Sequence, residues 1–439
     1  MLLLVAAVLM VVFFAIGLHV ATALGLIGVT MMYFFSDRPL LDMIGQIAWN
    51  TNSNFVLVAV PLFVMMGEVL LYGGVSERLY AVLSHWMAPI RGGLLHSNIA
   101  FSAVFGAISG SSAASAATVG AVSLPSFLAR GYNERWVVGS LAAGGTLDIL
   151  IPPSIAMVIY GVLAEESIGR LYLAGFVPGF LLAGVFMLII YVAARISPAI
   201  APREPAPPWR VRCIGLLSLG PIFVLMFLVL GTIYLGVATP TEAAAFGVVG
   251  AFALAAINRK VNKQMLQDVL LTTVRTSSMI MLIVTAAFLL SFSLSILGIP
   301  AQLAAWLSSM KLTPVTFVII LVVFYLILGT FMEALSMMVT TVPILVPVLK
   351  TMGVDLVWFG IIMVILLEAA LVSPPEGLNL YVIHGIRKSV SEKAGLQSGT
   401  MIDLWLGVLP FMIGMAIVIA LVIEFPQIAL WLPDLVKGK

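Results

Sequence analysis

Four carboxylic acids lie inside or beside apolar segments of this sequence: Asp148, Glu242, Glu333 and Glu368. An ionisable group within a membrane is costly, so each of them is a candidate for function. Glu242 stands where a helix would begin, and we interpret it as a helix cap. Three roles stay open for Asp148: it neutralises a bound cation, it faces a cationic group of a zwitterionic ligand, or it is protonated and inert. We favour the first.

Two Pro-Pro pairs interrupt apolar stretches, in "LDILIPPSIAMVIYG" (147–161) and in "LVSPPEGLNLYVIHG" (371–385). Proline has no N–H and breaks a helix interior at a cost of about 3 kcal/mol. The carbonyls four residues upstream lose their partners, and such carbonyls suit a hard cation where they face protein or a wet cavity. The helix that restarts after each break directs its positive N-terminus at the same place, which favours an anion. Each break therefore predicts adjoining cation and anion sites.

A stretch rich in small and hydroxyl residues precedes each break. The two stretches are "FGAISGSSAASAATVG" (105–120) and "GTFMEALSMMVTTVP" (329–343). Small residues permit close backbone approach and hydroxyls add neutral oxygen ligands, although stripes of small residues also serve as helix-packing faces. Because a Pro-Pro break follows each stretch, we favour a binding site over a packing face.

The composition describes a membrane protein. The chain has 439 residues, of which 62% are hydrophobic and 9% charged, far fewer charges than in soluble domains. It offers eleven apolar segments long enough to be considered as spans, and an open sheet cannot satisfy its backbone in lipid, so an all-α polytopic fold follows.

One cysteine, Cys213, excludes disulfides within the chain, and no phosphate loop for ATP is present. Nothing predicts a nucleic-acid partner.

The distribution of basic residues gives an orientation. Basic residues cluster near 78–91, 130–135, 195–212, 259–275 and 387–393, and the positive-inside rule places these loops in the cytoplasm. The segment 94–130 then enters and leaves from the cytoplasm, and the segment 314–350 enters and leaves from the outside. We interpret both as re-entrant hairpins. Pro125 and Pro347 of the two hairpins are separated by the same number of positions as the two Pro-Pro pairs. Together these features predict an inverted repeat.

The predicted divisions follow from that repeat. They are repeat 1 at 1–197, with a hairpin at 94–130 and a broken helix at 136–164; a linker at 198–212; repeat 2 at 213–425, with a hairpin at 314–350 and a broken helix at 356–386; and a periplasmic tail at 426–439.

Five motifs identify a resemblance to a known family. "FGAISGSSAA", "LIPPSI…YG", "ATPTEAAA", "LGTFME" and "SPPEGLNL" occur in this order and resemble the large membrane subunit of tripartite ATP-independent periplasmic (TRAP) transporters. The resemblance runs through nearly the whole chain. It implies an elevator-type secondary transporter of the bacterial inner membrane, driven by two or more sodium ions and by no nucleotide. It also implies a small four-helix membrane subunit and a periplasmic binding protein that delivers an organic acid.

The resemblance also implies site residues, at the hairpin tips 109–112 and 329–333 and at the breaks 145–153 and 373–379. For the substrate we expect Ser111, Ser112, Pro153, Ser154, Glu376 and Asn379, and for sodium Ser109, Gly110, Gly145, Asp148, Gly329, Thr330, Glu333, Ser373 and Gly377.

The sequence departs from the family pattern at a few positions of the breaks. Asp148 and Ala370 stand where glycine is common, Leu366 where asparagine is frequent, and Glu376 where an apolar residue is common. The added carboxylates leave the charge of the substrate open.

Other functions remain to be weighed. An intramembrane hydrolase would need a second aspartate facing Asp148, and no other aspartate lies within an apolar span. A channel subunit or an inert scaffold fits less well, because inverted hairpins with matching helix breaks favour alternating access. Among transporters the alternative is a stand-alone sodium- or proton-coupled dicarboxylate symporter without a binding protein.

Overall fold

The protein is α-helical, and its computed structural model contains no strand among the residues it describes, which are 2–109, 112–310, 312–375, 377–393 and 399–437. The helices of the first half are α1 (Leu2–Ala15), α2 (Val20–Phe35), α3 (Met43–Asn52), α4 (Ala59–Tyr72), α5 (Val75–Met87), α6 (Leu94–Ser109), α7 (Ser112–Arg130), α8 (Glu134–Gly144), α9 (Ile155–Ala164) and α10 (Ile168–Ile196).

The helices of the second half follow a connection over 197–208. They are α11 (Trp209–Ser218), α12 (Gly220–Tyr234), α13 (Pro240–Ile257), α14 (Lys263–Ile296), α15 (Ile299–Ser309), α16 (Pro314–Leu328), α17 (Ala334–Thr351), α18 (Leu356–Val372), α19 (Leu378–Lys393), α20 (Met401–Glu424) and α21 (Gln427–Lys437).

The helices confirm a polytopic membrane protein. Within the described residues, 6 helices are long and apolar enough to cross a membrane, or 7 if α11 and α12, bent by 44°, form one span. Several apolar segments that the sequence offered as spans are shorter helices here, because hairpins and breaks divide them. The predicted linker at 198–212 is shorter than expected, because α11 already begins at Trp209.

Side-chain caps decide where several helices begin. Asn133 accepts a hydrogen bond from the N–H of Trp136 at the start of α8, and Asp355 accepts from the N–H of Trp358 at the start of α18. Ser154 caps α9 in the same way. Such caps satisfy N–H groups that have no partner in the helix itself.

The prediction for Glu242 is confirmed. Its carboxylate accepts from the N–H and the hydroxyl of Thr239, and the hydroxyl of Thr239 accepts from the N–H of Glu242, which completes a capping box at the start of α13.

Both Pro-Pro pairs interrupt a helix, as expected. The first break is the longer: α8 ends at Gly144, turns occupy residues 145–153, and α9 begins only at Ile155. The second is confined to the few residues between Val372 and Leu378. The Pro152-Pro153 and Pro374-Pro375 peptide bonds are both cis.

Helices of one half pack against helices of the other. α2 lies against α14 and α4 against α13, while α7 packs on α19 and α17 on α9. α6 and α7 form a helical hairpin with α8 beside it, and α16 has α18 in the corresponding place. The tips of the hairpins and the two breaks therefore meet in the interior.

Candidate functional site

A small hydrogen-bonded junction joins the first hairpin to both breaks. The hydroxyl of Ser112 donates to the carbonyl of Gly145 over 2.6 Å and accepts from the amide of Asn379 over 2.9 Å. The same amide lies 3.3 Å from the carbonyl of Ala142. Both side chains are buried. Three segments far apart in sequence are thus fixed to one another by the donors and acceptors of two side chains.

A cavity of about 160 Å³ opens beside this junction. Its wall includes the first residue of four helices: Ser112 of α7, Ile155 of α9, Ala334 of α17 and Leu378 of α19. The N-terminus of a helix carries a partial positive charge and unpaired N–H groups. Four such termini at one cavity make it suited to an anion.

The remainder of the wall is mostly apolar. Ile149 and Leu371 come from the two breaks, Ala156 and Leu335 from the helices that restart, and Thr276, Met279 and Ile280 from α14. The polar side chains are those of Ser112, Thr276 and Glu333. A ligand here would meet few polar partners besides the helix termini.

Glu333 lies at this cavity as a helix cap. Its carboxylate accepts from the N–H groups of Leu335 and Ser336, at 3.1 and 2.9 Å, and from the hydroxyl of Ser336 at 3.0 Å. The negative charge therefore offsets the positive end of α17. This arrangement explains Glu333 as a structural cap without a sodium ion, and its role as a sodium ligand stays a prediction.

Glycines let the hairpins touch the breaks in equivalent ways. A Cβ at Gly329 would stand 2.7 Å from the Cβ of Ala370, and a Cβ at Gly106 would overlap the Cβ of Asp148. Asp148 and Ala370 each lie four positions before the first proline of a Pro-Pro pair, and so occupy corresponding places in the two halves. The close approach of backbone to backbone is what the small residues at the tips provide.

Asp148 is wholly buried, and so is Glu368 in the interior of α18. The two carboxyl groups are near enough to act on each other electrostatically. The hydroxyl of Ser115 lies beside Asp148, and the N–H of Leu150 lies toward Glu368. Neither acid forms an ion pair with a basic residue in the described part of the chain.

Other residues predicted for the site have local contacts. The hydroxyl of Ser373 donates to the carbonyl of Ala369 and that of Thr330 to the carbonyl of Ile327, so each is bonded within its own helix end. Gly377 approaches the carbonyl of Leu371 closely.

Some residues predicted for the site do not line the cavity, and others are not among the residues that the structure describes. Pro153 faces a small apolar space with Met66 and Leu70 of α4, so it contacts the neighbouring helices rather than the cavity wall. Ser109 is the last residue of α6. Gly110, Ser111 and Glu376 lie outside the described residues.

Sequence reasoning missed the contribution of α14 and the partner of Asp148. The polar run "RTSSM" around Thr276, inside a long apolar helix, is a signal for the first. At the spacing of the repeat, Glu368 corresponds to Thr146, two positions before Asp148, so the two acids lie at nearly equivalent places in the two halves. No group of three or more His, Cys, Asp or Glu side chains with metal-binding geometry occurs in the part of the chain that the structure describes.

Comparison with known proteins agrees with this architecture. The family model described as "Tripartite ATP-independent periplasmic transporter, DctM component" matches residues 7–428. The chain is 34% identical over 418 residues to the C4-dicarboxylate TRAP transporter large permease protein of Pseudomonas aeruginosa, covering 94% of each chain. It is 32% identical to the sialic acid TRAP transporter large permease protein of Vibrio cholerae, covering 88% of each.

Among solved structures, the Alcanivorax borkumensis YdaH transporter has a similar fold, with a TM-score of 0.64 at 15% identity over 88% of each chain. The curated relatives are named as permease subunits of transporters rather than as enzymes.

Proposed function

The chain belongs to the DctM component family of tripartite ATP-independent periplasmic transporters, a multi-pass protein of the bacterial inner membrane, and from this premise we propose its activity. It takes up a small organic acid by sodium-coupled secondary transport and moves the substrate by an elevator mechanism. It works with a small four-helix membrane subunit and receives the acid from a periplasmic binding protein. Curated relatives named for C4-dicarboxylate and sialic acid support an organic acid as the substrate class.

The convergence of four helix N-termini on one cavity carries the proposal. Ser112, Ile155, Ala334 and Leu378 each begin a helix at the cavity wall. An organic acid presents a carboxylate, and the N–H groups and positive ends of these helices stabilise such an anion without a buried basic residue. Glu333 offsets one of the four ends, which leaves α7, α9 and α19 to hold the carboxylate.

Alternating access is supported by the matching positions of equivalent helices in the two halves of the chain. α7 and α17 begin at Ser112 and Ala334, and α8 and α18 at Glu134 and Leu356; both pairs of starts are separated by the spacing of the Pro-Pro pairs. The exchange of partners, α7 with α19 and α17 with α9, is what two inverted repeats around one site produce. We propose divisions at 1–197 and 213–425, with the hairpins entering from opposite sides of the membrane.

Sodium coupling is supported by the oxygen atoms around the breaks. No backbone N–H of the described residues donates to the carbonyls of Asp148 or Ile149, which the two prolines leave without helical partners. The hydroxyl of Ser115 lies beside Asp148, and the second break contributes the hydroxyl of Ser373 and the backbone near Gly377. Hard monovalent cations favour such ligands. We propose two or more sodium ions, one at each hairpin.

The test uses the transporter reconstituted in liposomes with its small subunit and its binding protein. Uptake of the acid should require an inward sodium gradient, should fall to background when potassium replaces sodium on both sides, and should need no ATP. Uptake that persists without sodium would overturn the coupling. Uptake without the binding protein would instead favour the stand-alone symporter.

A further inference from the structure

The interior of the protein holds two acids that have no counter-charge. Asp148 in the first break and Glu368 in α18 are both 0% exposed. No oxygen of either carboxyl group has a hydrogen bond of good geometry within the described residues. Each acid nevertheless lies near one polar group that stabilises its charged form. This group is the hydroxyl of Ser115 for Asp148 and the N–H of Leu150 for Glu368.

Such a pair cannot remain ionised as it stands in a low-dielectric interior. An isolated buried carboxylate costs several kcal/mol, and two adjacent ones also repel each other. The pair is therefore neutralised, either by protons on the carboxyl groups or by a cation held between two carboxylates. The described ion pairs involve acids at other positions, and none of them includes Asp148 or Glu368.

The surroundings provide oxygen ligands rather than nitrogen or sulfur. The oxygen atoms come from three segments: the hydroxyl of Ser115 from α7, the carboxyl group and carbonyls of Asp148 and Ile149 from the first break, and the carboxyl group of Glu368 from α18. Oxygen donors of this kind suit a hard cation. Because Gly106 has no Cβ, α6 lies directly against Asp148.

We propose that Asp148 and Glu368 together bind one sodium ion that crosses the membrane with the substrate. The inference rests on the proposed sodium-coupled uptake and adds Glu368 to the ions' ligands. It also explains why an acid is tolerated at position 148, where the family resemblance leads us to expect glycine. A carboxylate at this position increases the attraction of the site for a cation and, with it, the charge moved per substrate.

The test measures thermal stabilisation of the purified transporter complex by sodium chloride, with choline chloride holding the ionic strength constant. A ligand that binds the folded state raises its stability with concentration. Asp148→Asn and Glu368→Gln should each raise the sodium concentration of half-maximal stabilisation at least tenfold. The double variant should be no worse than either single variant, because both residues act on one ion.

Two comparisons separate this site from a structural role. Without sodium, each single variant should melt no lower than the unaltered protein, because the replaced carboxyl group has no hydrogen-bond partner to lose in the described residues. Glu68→Gln, at a buried acid of α4 that is not a member of the pair, should leave the sodium titration unchanged. If Asp148→Asn fails to assemble, Asp148→Gly replaces it, since glycine fits the close contact with Gly106.

Several outcomes would overturn the proposal. Unchanged sodium titrations in both variants would show that the pair binds no sodium, and fully multiplied effects in the double variant would show that the two carboxyl groups act independently and not as a coupled pair. Uptake that carries protons into liposomes in the unaltered protein but not in Asp148→Asn would assign the pair to a proton. If the unaltered protein transports without sodium, the proposed function fails first. If it requires sodium and both variants keep the same number of ions per substrate, only this inference fails.

Discussion

The hydroxyl of Ser112 and the amide of Asn379 are 267 residues apart in sequence and 2.9 Å apart in the structure. Ser112 begins α7 at the tip of the first hairpin, and Asn379 follows the second break. The contact ties an element of one half to an element of the other beside the cavity. Movement of the hairpin relative to the second break would have to break it.

Asn379→Ala should destabilise the protein and reduce uptake strongly. Loss of the amide leaves the hydroxyl of Ser112 with one partner fewer in a buried place, which costs about 1–3 kcal/mol. A double-mutant cycle with Ser112→Ala, measured by thermal unfolding in detergent, should give a coupling energy of about 1 kcal/mol. Strictly additive effects of the two changes would show that the contact contributes no stability.

Gly329→Ala should destabilise the second hairpin, because the added methyl would stand 2.7 Å from the Cβ of Ala370. The combined change Gly329→Ala with Ala370→Gly should recover much of the lost stability and uptake. Gly184→Ala is the matched control, since nothing lies within 4 Å of its Cβ position in α10 and alanine favours a helix by about 1 kcal/mol. Equal melting temperatures of Gly329→Ala and Gly184→Ala would contradict the close packing of the tip.

Glu333→Gln should distinguish a cap from a sodium ligand. Glutamine keeps an acceptor for the N–H groups of Leu335 and Ser336 but removes a negative charge from the cavity wall. We expect a several-fold lower KM for the anionic substrate and an unchanged sodium dependence. A sodium requirement shifted tenfold or more would instead make Glu333 a ligand of the ion.

Arg387→Met should destabilise the C-terminal part of α19. The guanidinium is 2% exposed, donates to the carbonyl of Thr400 over 2.8 Å and lies 3.3 Å from Glu134. The buried guanidinium contributes a hydrogen bond and contacts the half-exposed Glu134, so we expect its loss to cost about 1–3 kcal/mol. The pair of Arg130 and Glu204, whose arginine is 47% exposed, is the control, and Arg130→Met should cost less than about 1 kcal/mol. Similar melting temperatures of the two variants would contradict this difference.

The breaks and hairpins could be predicted because proline and glycine act locally. Two adjacent prolines end a helix whatever surrounds them, so the interruptions after Gly144 and Val372 follow from chain chemistry. The cap at Glu242 is equally local, since a glutamate three positions after a threonine completes a capping box.

Contacts between distant residues were harder to predict. Pro153 was expected beside the substrate, which stays a prediction; in the structure it lines an apolar space with residues of α4 and α12. Glu368 stands amid apolar neighbours in α18, where sequence alone shows an isolated acid. Its nearness to Asp148 depends on how the two halves pack, and helix periodicity contains no information on that packing.

One helix of the cavity wall gives the protein a dependence on bilayer thickness. α14 runs from Lys263 to Ile296 and spans 34 residues. At a rise of about 1.5 Å per residue it is about 50 Å long, well beyond the roughly 30 Å of a hydrocarbon core. It must tilt or project into water, and lipids with longer or shorter acyl chains change that tilt. A change of tilt would move Thr276, Met279 and Ile280 relative to the helix starts that face them, so we expect the acyl-chain length of the host membrane to change the width of the cavity.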